Sequence, residues 1–351
     1  MTPEPRPGVR DVEPYVSPHP PVAVRLNTNE CPVPLPEDFA EDLARTVRDL
    51  PLNRYPDGQM TRLREDLAAH VGHPFVGTWA ANGSNEILTE LLLAYGGPGR
   101  TAVVFEPTYL LHSRLSTLTS TTLVSLRLVR PFTIGDGSVG EAAAAGPDVV
   151  FVCSPNNPTG NAQPIEATRS LAETVDALVV VDEAYIEFGG ESALKLVADH
   201  PNVVVTRTLS KAFALAGARI CYCLAAPEVV RDLQRVRLPY HMSALTQAAG
   251  IAALRHAGEA TAMLGAIRAQ RDRIFDRLSA IPGVTAYPSD ANFVLFTPPP
   301  GRDAAEVWQA LLGRGVLIRD LSSVVPRALR VTAGTEDETT QFLDALTEVL
   351  A

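Results

Sequence analysis

The chain has 351 residues, of which 46% are hydrophobic and 20% charged, and its formal net charge at pH 7 is −10. This composition is typical of a globular protein and excludes fibrous and disordered classes. The acidic balance argues against a nucleic-acid partner, which would need a basic face. It leaves room for small anionic ligands, because a local arginine cluster can bind phosphate within an acidic protein. The length favours two lobes.

The first 21 residues contain no apolar stretch, so we expect an extended arm there rather than a signal peptide or a membrane anchor. The four cysteines, at positions 31, 153, 221 and 223, show no metal-ligand spacing, so no metal site is expected. Free thiols in apolar runs pack as small hydrophobes, and a reducing cytoplasm suits them. We therefore expect a cytoplasmic protein without a membrane partner.

Apolar, β-rich runs alternate with helical patterns between residue 78 and about residue 225. They cover residues 101–107, 148–155, 177–185, 202–210 and 218–226. These runs are continuous rather than alternating, which predicts strands buried on both faces of a mostly parallel sheet. Ligands of such sheets bind beyond the carboxyl ends of the strands. We therefore expect the chemistry of the protein to lie there.

A long helical stretch over residues 242–280 follows, and then short strand and helix patterns alternate to the end of the chain. That order predicts a smaller α+β lobe. The expected division is an N-terminal arm (1–25), a large domain (46–240), and a discontinuous small domain (26–45 and 241–351). There is no internal repeat.

The strongest local motif is the run of residues 208–219, TLSKAFALAGAR, which follows an apolar strand. A lysine in such a place is usually a solvated surface cation. At the carboxyl end of a buried strand, however, the amine of Lys211 could form an imine with an aldehyde cofactor, provided that it is partly desolvated. The hydroxyls of Thr208 and Ser210, together with Arg219, would suit a phosphate group.

A second motif, VVVDEAY, places Asp182 at the end of another buried strand and Tyr185 three residues later. An aspartate there commonly caps the following helix. A buried carboxylate could instead keep a pyridine nitrogen protonated, so that the ring accepts electrons. Both interpretations stand at this point, and the neighbouring Glu183 is expected to be structural.

Two further motifs also sit at predicted strand ends. In SPNNPTG (154–160), which alone indicates a turn, the side chain of Asn157 could hydrogen-bond a cofactor oxygen. In NGSNE (82–86), Ser84 or Asn85 could cap the helix that follows. The free N–H groups at the start of that helix could also bind phosphate, and the two roles are compatible.

Together these motifs resemble the fold-type I aminotransferases, and within them the histidinol-phosphate aminotransferase family, in its actinobacterial form. The resemblance extends over nearly the whole chain. It also includes the segments LNTNE (26–30), RYPDG (54–58), FEPTY (105–109), RLPYHMS (237–243), DANF (290–293), GVLIRD (315–320) and LRVTAGT (329–335). It implies an α/β large lobe with a mostly parallel seven-stranded sheet covered by helices, a smaller α+β lobe, and pyridoxal 5'-phosphate as the cofactor.

The resemblance also assigns roles to residues of this chain. Lys211 would be the Schiff-base lysine and general acid/base, and Asp182 would pair with the pyridine nitrogen. Asn157 and Tyr185 would bond the phenolic oxygen, and Tyr109 would stack on the ring. The cofactor phosphate would be held by Ser84, Asn85, Thr208, Ser210 and Arg219, and by Tyr55 of a second subunit, which implies a homodimer.

The implied reaction is transamination of histidinol phosphate with 2-oxoglutarate, in histidine biosynthesis. Arg330 and Arg319 would bind the substrate's anionic group, with Asn29 nearby and Tyr15 of the arm closing over it. The chain departs from the family pattern at Cys31, at Leu110 and after Asp320, where the distal end of the substrate would lie. An aromatic amino acid aminotransferase, a paralogue of secondary metabolism, and a phosphothreonine-type decarboxylase are therefore alternatives.

Overall fold

The structure, a computed structural model, describes residues 3–10, 12–14 and 20–351. The strands are β1 Val24–Arg25, β2 Thr78–Ala81, β3 Thr101–Glu106, β4 Thr122–Arg127, β5 Val149–Cys153, β6 Leu178–Asp182, β7 Val203–Thr208, β8 Cys221–Leu224, β9 Thr285–Ala286, β10 Phe293–Thr297, β11 Val316–Leu317, β12 Arg319–Asp320 and β13 Leu329–Thr332. The α-helices are α1 Pro7–Arg10, α2 Glu37–Arg48, α3 Thr61–Val71, α4 Ser84–Tyr95, α5 Leu110–Leu118, α6 Ser138–Ala144, α7 Ile165–Thr174, α8 Pro227–Val236, α9 Ala244–Arg255, α10 Ala257–Ser279, α11 Ala304–Gly313 and α12 Glu336–Leu350.

Seven strands form the central sheet in the order β2-β8-β7-β6-β5-β3-β4. The pairs from β7 through β4 are parallel, whereas β8 runs antiparallel to both of its neighbours. Strands β5 and β6 are buried along their whole length, as the continuous valine-rich runs predict. The predicted mostly parallel, seven-stranded sheet is therefore confirmed.

The strand order reverses between β3 and β5. From β5 the chain proceeds to β6 and β7 on one side, while β3 is followed by β4 on the other. The loops after β3 and β5 therefore leave the sheet in opposite directions and open a crevice at the carboxyl ends of these strands. The segments that begin at Tyr109 and Asn157 border this crevice.

A four-stranded sheet in the order β12-β13-β10-β9 forms in the second half of the chain, with each pair antiparallel. Helix α11 begins at an Asp303 cap, and α12 begins with a capping box between Thr335 and Glu338. The smaller α+β region is thus as predicted.

The N-terminal segment is joined to this region. Strand β1 pairs with β11 in parallel, and the backbone N–H of Asn29 donates to Thr332 Oγ1 at 3.0 Å. The side chain of Asn292 donates to the carbonyl of Asn29 at 3.2 Å. These contacts bring residues 24–30 beside β13, and so to the edge of the crevice.

The predicted helical stretch over 242–280 is present as two consecutive helices, α9 and α10, which are separated at His256, whose ring lies 3.5 Å from Asp42 on α2. One local prediction was wrong. The residue that caps α4 is Gly83, at φ +91°, rather than Ser84 or Asn85. Of the helices in the described residues, none combines the length and the apolar character needed to cross a bilayer.

Candidate active site

The largest group of predicted site residues lines one cavity of about 490 Å³ at the carboxyl ends of the central strands. The residues that it brings together are Asn29, Ser84, Asn85, Tyr109, Asn157, Asp182, Tyr185, Thr208, Ser210, Lys211, Arg219, Arg319 and Arg330. They come from both sheets and from the N-terminal segment. The cavity therefore lies between the large and the small region.

Lys211 follows β7 and points into the cavity. Its Nζ donates a hydrogen bond to the carbonyl oxygen of Thr28 at 3.0 Å and lies 5.9 Å from the centre of the Tyr185 ring. Removal from water lowers the pKa of the Lys211 amine to about 8, and the positive charges of Arg330 and Arg219 add to this effect. A useful fraction of the amine is thus neutral, and nucleophilic, near neutral pH.

Asp182 ends strand β6 and is 2% exposed. Its Oδ1 accepts a hydrogen bond from the backbone N–H of Ala184 at 3.2 Å, but Asp182 does not cap a helix, because the next helical turn has Tyr185 at its N-cap. Its Oδ2 lies 3.2 Å from Nε2 of His112, which is fully buried on α5. With a proton on Nε2, the imidazole donates to the carboxylate and fixes its orientation.

Tyr185 is buried at the inner wall, where its hydroxyl accepts a hydrogen bond from Nδ2 of Asn29 at 2.9 Å. Burial raises the pKa of this phenol to about 12, although Arg330 and the bond from Asn29 act in the opposite direction. The hydroxyl therefore keeps its proton at neutral pH and can donate it to an oxygen in the cavity.

Arg330 lies on β13 and is 7% exposed. It donates to Oδ1 of Asn157 and, at 2.9 Å, to the carbonyl oxygen of Asn27. Its guanidinium also lies 5.0 Å from the centre of the Phe293 ring. These contacts fix the planar fork at the cavity wall, which is the arrangement that suits recognition of a carboxylate or a phosphate.

Arg319 is the cross-strand neighbour of Arg330, because the two residues face each other in the β12–β13 pair. Directly opposed residues project from the same face of an antiparallel pair, and like charges in that position repel. Both residues line the cavity. The pair therefore provides a positive wall that an anion would neutralise.

Hydrogen-bond donors and one positive charge surround the start of α4. Gly83 precedes the helix, and a Cβ atom there would lie only 2.4 Å from Nη2 of Arg219. The hydroxyls of Thr208 and Ser210 are 2.9 Å apart, and the backbone N–H of Ser210 donates to Thr208 at 3.0 Å. Helix N–H groups, two hydroxyls and an arginine thus meet at one end of the cavity, which is a typical anion-binding set.

Tyr109 is the N-cap residue of α5, and its hydroxyl donates to Oδ1 of Asn85, in the first turn of α4, at 3.1 Å. Its ring meets that of His112 edge to face, with the centroids 5.5 Å apart. The phenol ring is therefore held in place where it borders the cavity.

Two predicted residues stand apart from this group. Tyr55 does not line the cavity of its own chain. It is 80% exposed and stacks on Tyr240 with the ring centroids 4.5 Å apart. Tyr15 lies outside the described residues.

Sequence reasoning missed His112 and Thr28. His112 lies three residues after Tyr109, in a helix whose buried face is otherwise Leu115 and Ser116, so a lone buried imidazole beside the FEPTY segment was an available signal. Thr28 acts through its backbone carbonyl, which no side-chain pattern reveals.

The cavity fits a phosphorylated aromatic aldehyde. It offers a nucleophilic amine, a fixed carboxylate and a neutral phenol. At its anion-binding end, Arg219 lies so close to Gly83 that a side chain at position 83 would have no space. It also offers a second positive wall at Arg319 and Arg330 for an anionic substrate.

Comparison with known proteins agrees with this chemistry. The family model described as aminotransferase class I and II matches residues 21–346. The histidinol-phosphate aminotransferase of Thermobifida fusca is 46% identical over 349 residues, which cover 97% of this chain and 94% of that protein. That of Streptomyces avermitilis is 48% identical over 360 residues, with 98% and 96% covered.

Solved structures give the same picture. The histidinol-phosphate aminotransferase from Sinorhizobium meliloti, in complex with pyridoxal-5'-phosphate, has a TM-score of 0.89 and 25% sequence identity, with 98% of this chain and 97% of that chain covered. The L-threonine-O-3-phosphate decarboxylase from Porphyromonas gingivalis has a TM-score of 0.81 at 21% identity, which shows a shared fold only. The chain belongs to the aminotransferase class I and II family, as the motifs around Lys211 predict.

Proposed function

We propose that this protein transfers the amino group of histidinol phosphate to 2-oxoglutarate, with pyridoxal 5'-phosphate as its cofactor, in histidine biosynthesis in the cytoplasm. The observation that carries the proposal is the convergence of Lys211, Asp182 and the Arg319–Arg330 pair in one cavity. The names of the curated relatives supply the substrate. The four free cysteines, of which three are buried, suit a reducing compartment.

Pyridoxal 5'-phosphate, when bound, supplies an aldehyde that captures an amine and a ring that accepts electrons. Lys211 is suited to hold it, because the pKa of its amine is about 8. The chain has only one other lysine, Lys195, which forms an exposed ion pair with Glu191. The assignment therefore rests on a single candidate amine.

The ring would be held from three directions. Asp182, oriented by His112, would pair with the pyridine nitrogen, and Asn157 and Tyr185 would donate to the phenolic oxygen. Tyr109 would cover one face. Each of these side chains is fixed by a contact within the chain, so little reorganisation is needed when the charge of the ring changes.

The cofactor phosphate would lie at the start of α4. Ser84 and Asn85 contribute the first turn of the helix, and Thr208 and Ser210 contribute hydroxyls. Arg219 adds a full positive charge beside Gly83. The partial positive charge of the helix N-terminus favours a phosphate in the same place.

The anionic end of the substrate would bind at the Arg319–Arg330 pair, with Asn29 beside it and Tyr15 contributed by the arm. One anion site must serve both substrates, since the phosphomonoester and the dicarboxylate bind in turn. An arginine fork accepts either group. The amine of Lys211, once free, can remove a proton from the substrate carbon and return it to another atom, because its pKa is close to working pH.

A homodimer would complete the site with Tyr55. Several large apolar side chains close in sequence to the stacked Tyr55 and Tyr240 are exposed: Leu52 is 62% exposed, Leu238 72% and Leu245 45%. Exposed aromatic rings with exposed apolar residues nearby in the chain are typical of an interface between subunits. We infer that a second copy of the chain covers this face and places Tyr55 at its partner's cofactor phosphate.

An aromatic amino acid aminotransferase is the second candidate, and a paralogue of secondary metabolism would differ in the same region. Leu110, 52% exposed, and Val324, 40% exposed, both line the cavity and would favour an apolar ring. A phosphothreonine-type decarboxylase shares the fold, so the fold does not separate it from a transaminase.

Two measurements on the purified holoenzyme test the proposal. Borohydride reduction followed by peptide mass analysis should place the cofactor on Lys211 in wild type and in K195A, and on no lysine in K211A. Product analysis with histidinol phosphate should show glutamate from 2-oxoglutarate, and incubation with O-phosphothreonine should release no carbon dioxide. Cofactor on Lys195, no glutamate from the histidinol phosphate reaction, or release of carbon dioxide from O-phosphothreonine would contradict the proposal.

A further inference from the structure

Another group of polar side chains lies outside the cavity, between α4 and the segment that follows α8. Glu86 and Glu90 are four residues apart on α4, so their side chains lie on the same face of the helix. His241 approaches from residues 237–243. One oxygen of each carboxylate and one ring nitrogen of His241 all lie within 4.8 Å of one another.

Glu90 is the buried member of this group, at 3% exposure. Its Oε2 accepts a hydrogen bond from Nε1 of Trp79 at 3.0 Å, while its Oε1 has no hydrogen-bond partner in the described part of the chain. Burial raises the pKa of Glu90 to about 8, and Glu86 adds to the rise, although the Trp79 bond opposes it. A buried oxygen of this kind needs a proton or a cation.

His241 has one nitrogen that a neutral ring leaves unsatisfied. Its Nε2 lies 3.2 Å from the carbonyl oxygen of Ala80, and its Nδ1 lies 3.3 Å from that of Leu238. A neutral imidazole can donate to only one of two carbonyls, so its other nitrogen presents a lone pair to an oxygen. A metal ion would relieve that contact by accepting the lone pair.

One charge opposes a cation here. The guanidinium of Arg237 lies 5.6 Å from the centre of the Trp79 ring and lowers the pKa of Glu90. A monovalent cation would gain too little electrostatic energy from Glu90, whose charge Arg237 partly offsets, to overcome the repulsion from Arg237. A divalent ion that forms direct bonds to three ligands gains more, so moderate rather than tight affinity is expected.

We propose that Glu86, Glu90 and His241 bind a first-row divalent cation, with Zn²⁺ as the favoured ion. An imidazole with two carboxylates suits Zn²⁺ better than Mg²⁺ or Ca²⁺, which take oxygen ligands, and three protein ligands leave one position for water. Zn–ligand bonds of about 2.0–2.2 Å require the three groups to move closer together. Glu86 and His241 are only partly buried, but Glu86 accepts a hydrogen bond from the backbone N–H of Asn82 and His241 faces two carbonyl oxygens, so both would exchange such a contact for the metal.

Trp79 gives this site its own spectroscopic reporter. It is hydrogen-bonded to Glu90, and the chain has only one other tryptophan, Trp308. Trp308 lies in the small region, where it donates to the carbonyl of Ile318. In the variant W308F the remaining tryptophan is Trp79, so any fluorescence change can be assigned to it. The readout does not depend on turnover, so failure of the site and failure of the proposed function are distinguishable.

The test is calorimetric titration of the holoenzyme with ZnCl₂, repeated with MgCl₂ and repeated by fluorescence in W308F. We expect one Zn²⁺ per chain, a change in Trp79 fluorescence with the same midpoint, and Mg²⁺ binding weaker by roughly tenfold or more.

Two variants and one matched control decide the assignment. E90Q and H241N should each weaken Zn²⁺ binding at least tenfold. H256N is the control, because His256 also lies between two carboxylates, 3.5 Å from Asp42 and 3.5 Å from Glu259. Wild-type binding retained in both E90Q and H241N, or no binding by wild type, would overturn the proposal. H241N alone decides it if E90Q does not fold by circular dichroism.

Discussion

Nε2 of His112 lies 3.2 Å from Oδ2 of Asp182, with both side chains buried. The imidazole is itself held, because it stacks on Phe151 of β5 with the ring centroids 4.8 Å apart and meets Tyr109 edge to face. Residues before α5 and in β5, which lie on either side of the point where the strand order reverses, thus hold the imidazole that orients Asp182. We infer that His112 is a positioning residue for the cofactor ring.

Replacement of His112 by Phe should keep the stacking and remove the hydrogen bond to Asp182. We expect kcat to fall about tenfold, which corresponds to about 1.4 kcal/mol of lost transition-state stabilisation, with the cofactor still bound. Stopped-flow kinetics of each half-reaction would measure it. The control is H200F, since the ring of His200 lies 4.0 Å from a carboxylate, that of Glu173, and does not line the cavity. An unchanged kcat in H112F would show that Asp182 needs no support from α5.

The pH dependence of cofactor capture should follow the amine of Lys211. Because the pKa of this amine is about 8, the charged, unreactive form dominates below pH 8, and the capture rate of the apoenzyme should rise with pH and level off above it. R330Q removes a positive charge that lowers this pKa, so the midpoint should move to higher pH. R231Q is the control, because Arg231 is exposed and pairs with Glu228. A shift of the midpoint to lower pH in R330Q would contradict the influence of Arg330 on the pKa of Lys211.

Arg319 should contribute to binding at the expense of stability. Its cross-strand position opposite Arg330 costs repulsion in the free protein, so R319Q should raise the free energy of unfolding by about 0.2–1 kcal/mol in urea. The same change should raise KM for both anionic substrates, because half of the positive wall is lost. R319K, which keeps the charge, should show neither effect in full. A variant that is both less stable and unchanged in KM would exclude this role.

The shared site can be tested by mixing two inactive variants. If Tyr55 acts in the partner's site, a hybrid of K211A and Y55A chains has one site with both residues intact. Random reassociation should therefore restore about a quarter of the wild-type activity. Activity no greater than that of the separate variants would place Tyr55 outside the partner's site. Sedimentation of each variant checks that the dimer persists.

Much of the fold follows from patterns that depend only on local burial. The runs around Val150, Val180 and Val204 are apolar on both faces, so they could be recognised as central strands without knowledge of their neighbours. Strand β4 was not recognised, because it lies at the sheet edge and mixes three polar with three apolar residues, none of which is fully buried. The antiparallel direction of β8 was not predicted either, since direction depends on connections rather than on composition.

The site was predictable where a side chain acts at a strand end. Lys211, Asp182 and Asn157 all follow central strands and line one cavity. A contact made through the backbone, such as the bond from Lys211 to Thr28, carries no signal in a single sequence. The position of His112 beside the FEPTY segment was a signal, but its pairing with Asp182 across distant segments was not. They depend on the packing of α5 and of the N-terminal segment against the sheet.

The most direct test of the proposed function is steady-state turnover of histidinol phosphate with 2-oxoglutarate, beside a panel of phenylalanine, tyrosine and tryptophan under the same conditions. The positive wall of Arg319 and Arg330 predicts that kcat/KM for histidinol phosphate exceeds that for each aromatic amino acid by at least about tenfold, because a phosphomonoester carries more negative charge than a carboxylate. A preference for an aromatic amino acid, in which Leu110 and Val324 would decide the substrate, would contradict the proposed function.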